Sequence, residues 1–174
     1  MISTHTIEDA LYGWAHAVLP SVPVIWYHQN APRPTVPYVA LHLTTINSVG
    51  VDAHLFPGTD GKVEVVGNRD LILLVQGIGN ASMDFLETLK LSLEKPTVQF
   101  ALRQSGIVFV DRMAEECISE LVDSRWEERN LLDLKFRFAQ TDKDDPGYFT
   151  KVQGDYIFKG VDLQTIVDIP ISIP

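Results

Sequence analysis

A chain of 174 residues, 45% hydrophobic and 21% charged, suits one globular domain with a substantial core rather than two. Its formal net charge of −9 and isoelectric point near 4.9 exclude the clustered Lys and Arg with which a nucleic-acid-grasping surface neutralises phosphates. A single cysteine, Cys117, excludes an internal disulfide and points to a reducing compartment.

Met1-Ile-Ser-Thr-His5 carries neither the basic region nor the apolar run of a signal peptide, and nowhere do about 18 apolar residues follow one another, so cytoplasmic synthesis is expected. Thr6 and Asp9 are spaced like a capping box, and Ile7, Leu11, Trp14 and Val18 fall on one helical face. The spacing predicts a helix over 6–19, ended by Pro20 and Pro23. Val24-Ile-Trp-Tyr27 is a short β-prone run. His28 to Pro37 follows with three prolines, a stiff connection that cannot lie mid-sheet. Tyr38 to Ile46 resumes strand composition, and 47–61 reads as a loop or short hairpin because Gly50, Pro57, Gly58 and Gly61 supply turn chemistry.

Lys62 to Gln76 reads as a long strand with a bulge at Gly67-Asn68. Its run Leu71-Ile-Leu-Leu-Val75 is apolar on both faces, as in a central strand covered on both sides. Asn80 or Ser82 can cap a helix whose apolar face is Met83, Leu86, Leu89 and Leu93. Pro96 suits the first turn of the next helix, which carries Val98, Ala101 and Leu102 and stops at Gly106. This pair of helices is expected on one face of the sheet. Ile107 to Val110 is a short strand. Residues 111–128 hold seven acidic and two basic side chains, a stretch to be solvated or to face a basic partner.

Arg125-Trp-Glu-Glu-Arg129 then leads into the most regular strand of the chain. Leu132, Leu134, Phe136 and Phe138 share one face, and Asp133, Lys135 and Arg137 the other. Thr141 to Gly147 reads as a turn. Tyr148 to Pro174 has strand composition without a clear core face, and either closes the fold or reaches onto a neighbouring subunit.

The chemistry-bearing patterns are few. Gly77-Ile-Gly-Asn-Ala-Ser82 superficially resembles a dinucleotide loop, but serine stands at the sixth position and no alternating strand–helix–strand pattern surrounds it. A strand-to-helix turn needing positive φ is the reading adopted. Asp142, Asp144 and Asp145 invite a calcium reading, yet Gln153 occupies the position where an EF-hand loop needs glutamate. The five histidines, at 5, 16, 28, 42 and 54, form no pair at ligand spacing on a helix. Cys117 has no base that spacing can assign to it, and no nucleophile elbow is present. No cofactor, metal or catalytic residue is therefore expected. Arg125, Trp126, Glu127, Glu128 and Arg129 remain as the candidate surface, read either as the solvated end of a strand or as a subunit interface, where Arg and Trp are common.

Ile25-Trp-Tyr-His-Gln-Asn-Ala-Pro-Arg-Pro-Thr-Val-Pro-Tyr-Val-Ala-Leu41 resembles the opening of the neck or tail terminator proteins of tailed bacteriophages. Arg69-Asp-Leu71, Pro96-Thr-Val-Gln99 and Asp123-Ser-Arg-Trp-Glu-Glu-Arg129, with Leu132 to Phe138 behind it, are similar to the same family; the resemblance covers roughly 22–150 and is less clear at both ends. It implies a non-enzymatic virion structural protein of the neck, made in the host bacterial cytoplasm. Such proteins assemble as a hexameric ring on the tail tube, stop its polymerisation and offer a face to the head-tail connector protein, while DNA passes through the channel without specific binding and no membrane is involved. The competing class is a non-enzymatic neck or tail-assembly binding module, an adaptor or chaperone. The fold expected is α+β: a mixed, mainly antiparallel β-sheet with an N-terminal helix and a pair of helices on one face, forming a single domain over 1–174 with 148–174 as a C-terminal β-arm.

Overall fold

The computed structural model describes residues 3–55, 61–113, 115–122 and 124–147. Helix α1 spans Thr4–Val18, strand β1 Val24–Trp26, β2 Tyr38–His54 and β3 Val63–Ile78. Helices α2 (Ser82–Ser92) and α3 (Pro96–Gln104) come next, then β4 (Ile107–Arg112), β5 (Glu116–Cys117), β6 (Glu120–Val122), β7 (Arg125–Glu127) and β8 (Arg129–Asp144). Among the described residues the main sheet runs β1-β2-β3-β8-β4, with β5 also pairing β8, and only β1–β2 is parallel. The fold is thus the expected α+β, with a mainly antiparallel sheet.

The core is the helix-facing side of β3 and β8. Leu71, Leu73 and Val75 alternate there beside their register neighbours Leu132, Leu134 and Phe136, all fully buried under Leu86 and Leu89 of α2 and Ile7 and Leu11 of α1. Burying each such side chain contributes about 1.5–3 kcal/mol. Phe136 meets Trp14 and Phe109 edge-on, and the Trp14 indole N–H donates to Ser92 Oγ at 3.0 Å, so the one polar atom of that ring is satisfied inside the core.

Several expectations are corrected. Helix α1 begins earlier than expected, because Ser3 rather than Thr6 is the cap: Ser3 Oγ accepts from the Thr6 amide at 3.1 Å. Neither Asn80 nor Ser82 caps α2; Ala81 occupies that position at φ +62°, and Ser82 is buried with its hydroxyl turned to the sheet. Phe85 rather than Met83 packs against the core, and Ala101 is exposed. Strand β2 continues through 47–54, since pairing with β3 supplies the backbone hydrogen bonds that its polar composition did not advertise. Similarly, β8 runs through 141–144, where a turn was expected, because Val63 to Val66 pair with it.

The bulge expected at Gly67 lies opposite it. The register between β3 and β8 is unbroken there, whereas β2 shifts between Val49 and Ala53. A side chain at Gly67 would collide with Arg69 Nη1 and Asp52 Oδ1, each 2.3 Å from the Cβ position, and those two side chains are bonded to one another across the bulge. Among the described residues the two faces of the sheet differ. The described helices pack on one side, and Ile72 and Leu74 on the other side of β3 are half-buried.

Candidate subunit interface

Residues 125–129 do not form one strand. β7 pairs antiparallel with β6 as a two-stranded hairpin separate from the main sheet, with Ser124 at φ +67° in its turn, and β8 starts only at Arg129. The acidic stretch before it forms a broken edge: β4 pairs the Leu134–Phe138 part of β8, Met113 N–H reaches Asp133 O, and β5 pairs Asn130 and Leu131. The chain therefore climbs along β8, leaves it as the β6–β7 hairpin, and returns as β8 itself.

Three of the five candidate side chains are consumed within the chain. Arg129 donates through Nε to Glu127 at 2.8 Å and through Nη1 to Glu120 at 2.7 Å. Glu127 also takes both carboxylate contacts of Arg33 Nη2 at 2.6 Å, an arginine that comes from the proline segment and whose Nε donates to Tyr38 Oη at 2.8 Å. The Arg33 contact, reinforced by Arg129, holds the Glu127 carboxyl below its ordinary range despite opposing desolvation. Glu128 accepts from Ser82 Oγ at 3.1 Å and Asn130 Nδ2 at 3.2 Å, and its carbonyl accepts from Gly79 N–H at 2.8 Å. These contacts tie the hairpin base to the start of α2 and to the proline segment.

Arg125 and Trp126 are different. Trp126 is 76% exposed and stands opposite exposed Leu121 in the hairpin register. Arg125 is exposed and has no hydrogen bond or ion pair among the described residues. Beneath them lies an open groove of about 600 Å³, lined by Val36, Pro37, Gly79, Arg125, Trp126 and Glu128 among others. Gly79 is required in its wall: φ is +94° and a Cβ there would sit 3.0 Å from Val36 Cβ. This confirms the turn reading of Gly77 to Ser82.

The geometry thus separates an inward set, Glu127, Glu128 and Arg129, from an outward set, Arg125 and Trp126. Arg33, Leu121, Pro37 and Gly79 were absent from the sequence-derived candidates, and nothing local links Arg33 to a carboxylate 94 positions away. Two other features were read differently from sequence. Asp142 and Asp144 lie in β8 rather than in a turn, and His28 and His42, unrelated by spacing, approach to 3.2 Å between their Nε2 atoms. Exposed Cys117 has its thiol pulled below the ordinary value by its hydrogen bond with Ser119.

A family model described as phage neck terminator protein matches residues 5–171, wider than the span of the resemblance seen in the sequence. No curated protein matches. Among solved structures, the chain is similar to the sheath/tube terminator of an extracellular contractile injection system, PVC, in its extended state, determined by cryo-EM, with a TM-score of 0.50 and 10% identity. The alignment covers 92% of this chain and 65% of that one, and at this identity the likeness concerns the fold. With a family match that runs through both helix and sheet elements and nearly the whole length, the chain belongs to the phage neck terminator proteins.

Proposed function

We propose that the protein is a non-enzymatic virion component that forms a homo-oligomeric, hexameric ring at the end of a phage tail tube, stops tube polymerisation and joins the tail to the head-tail connector protein. The family match over residues 5–171 carries this reading. The exposed Trp126 and Arg125, held on a hairpin whose Glu120 and Glu127 are paired within the chain, supply the contact between subunits, because a rigidly presented Trp and Arg are what interface centres use. A net charge of −9 suits a channel through which DNA passes without being held. No helix among the described residues is long and apolar enough to cross a membrane, and the reading places the protein in the virion neck after synthesis in the host bacterial cytoplasm. The chain acts as one domain over 1–174, with 148–174, outside the described residues, as a β-arm onto a neighbour.

Complementation of a phage lacking this protein tests the proposal. Trp126→Ala combined with Arg125→Glu is expected to leave circular dichroism and melting unchanged, to abolish the ring seen by light scattering on tail tubes, and to give tails of irregular length by electron microscopy. Normal tail lengths with the double variant would refute the interface; normal lengths with no protein at all would refute the terminator role. Covering only 65% of the tube terminator it resembles favours one other reading, a non-enzymatic neck or tail-assembly binding module, an adaptor or chaperone, that is not itself the terminator. Capping of purified tail tubes by the protein, scored by electron microscopy, decides between them.

A further inference from the structure

We propose that His28 and His42 form a two-imidazole binding site for a borderline divalent transition-metal ion of the Zn²⁺ or Ni²⁺ class. Their Nε2 atoms lie 3.2 Å apart, with ring planes at 87° and centroids separated by 4.5 Å. Two imidazoles bound at 2.0–2.1 Å to a tetrahedral centre place their donor nitrogens about 3.3 Å from one another. In the protein the two nitrogens are hydrogen-bonded to one another, and an ion would take the place of the shared proton at nearly the same separation.

The pair is held in place by the fold. His42 is fixed in β2 by register with Leu74, and the residue before His28 is tied to the same strand, because Tyr27 N–H donates to Leu41 O at 2.8 Å. The Tyr27 ring stacks on His42 at 5.6 Å and meets His28 edge-on at 5.1 Å. Both imidazoles are therefore restricted before any ion arrives, which lowers the ordering cost of binding. With nitrogen donors the site selects imidazole-preferring metals over Ca²⁺ and Mg²⁺, which take oxygen ligands. No group of three or more His, Cys, Asp or Glu side chains in metal-holding geometry exists among the described residues, so none of those residues completes the coordination. His28 is exposed and leads into the proline segment that carries Arg33, so an ion bridging it to β2 would anchor that segment where it braces the β6–β7 hairpin.

The test uses the full-length protein without an affinity tag, stripped with chelator and titrated with Zn²⁺ by calorimetry at pH 7.5. One site per chain is expected, with a rise in melting temperature that chelator reverses. His28→Ala and His42→Ala should each abolish both effects, and His28→Gln should act like His28→Ala. His5→Ala and His54→Ala should bind as the wild type does. Zn²⁺ uptake that survives His28→Ala or His42→Ala, or uptake lost on His5→Ala or His54→Ala, overturns the site; so does the absence of any saturable binding by the wild-type protein.

Discussion

Arg137 and Asp70 are direct register partners on the helix-free face of the sheet, and the guanidinium grips the carboxylate with Nε at 2.6 Å to one oxygen and Nη2 at 3.1 Å to the other. Lys135 adds a third contact at 2.8 Å. Asp70 is nearly buried, while Arg137 reaches it from a partly exposed position, and the Arg137 hydrogen bonds, opposed by desolvation and aided by Lys135, bring its carboxyl down to about 2.

The pH dependence follows from that depression. An unfolded Asp ionises near ~3.9, so the stabilisation is complete above that value and is lost as pH falls through about 2. Its size is on the order of 2 kcal/mol. Asp70→Asn should lose about that amount at pH 7 and show a flatter stability profile between pH 4 and 2, measured by urea unfolding at each pH. An Asn variant with the wild-type profile in that window would remove Asp70 as its source.

Asp133 behaves in the opposite sense. Burial first, and Glu116 second, push its carboxyl up. The folded protein then binds that proton more readily than the unfolded chain, so stability is fullest below the unfolded value and declines as pH rises through the folded one. Asp133→Asn should therefore raise the melting temperature at pH 7 and leave it unchanged at pH 3. Calorimetric scans at the two values check this, and equal shifts at both would contradict it.

Phe136 is fully buried between Trp14 and Phe109. Truncation to Ala should cost about 3–5 kcal/mol, because the rigid sheet and α1 cannot close the void, whereas Leu should cost much less. Equilibrium denaturation of the two variants gives the comparison; similar losses for both would show that ring packing is not the cause.

Gly79→Ala should destabilise by about 1–3 kcal/mol through left-handed backbone strain, in addition to crowding Val36 and Pro37. The displaced proline segment would take Arg33 away from Glu127, so the paired effect of Gly79→Ala and Arg33→Ala should be less than additive. Strict additivity in a double-mutant cycle would mean that the two elements are not coupled.

The regular parts of this fold were legible for a physical reason. Leu132 to Phe138 alternate because both β8 neighbours bury the same face, and Pro96 starts α3 where its missing amide is harmless. The misreadings arise where a distant partner decides. Asn47 and Ser48 have loop composition, yet pairing with β3 makes them strand; the β6–β7 hairpin parts from β8 at Glu128, with neither glycine nor proline at the break. Of the candidate interface, Trp126 and Arg125 could be named from residue type, but whether a charge is spent inside the chain depends on Arg33 and Glu120, which only the fold brings near. The expectations for 148–174 fall outside the described residues.

The β3–β8 ladder also sets an order of events. Its two strands run antiparallel, so the partners Ile78 and Arg129 are the nearest in sequence and Val63 and Asp144 the farthest. Everything between the near pair, namely α2, α3, the acidic edge and the hairpin, must be gathered into one closed loop before the first rung forms, and later rungs then add little closure entropy. Folding of this subunit should be slow to begin and quick to finish, and the Glu128 contacts to Gly79 and Ser82 sit at the end that closes first. The clasp that positions the hairpin should therefore form at the start of zippering, before the outer strands are complete.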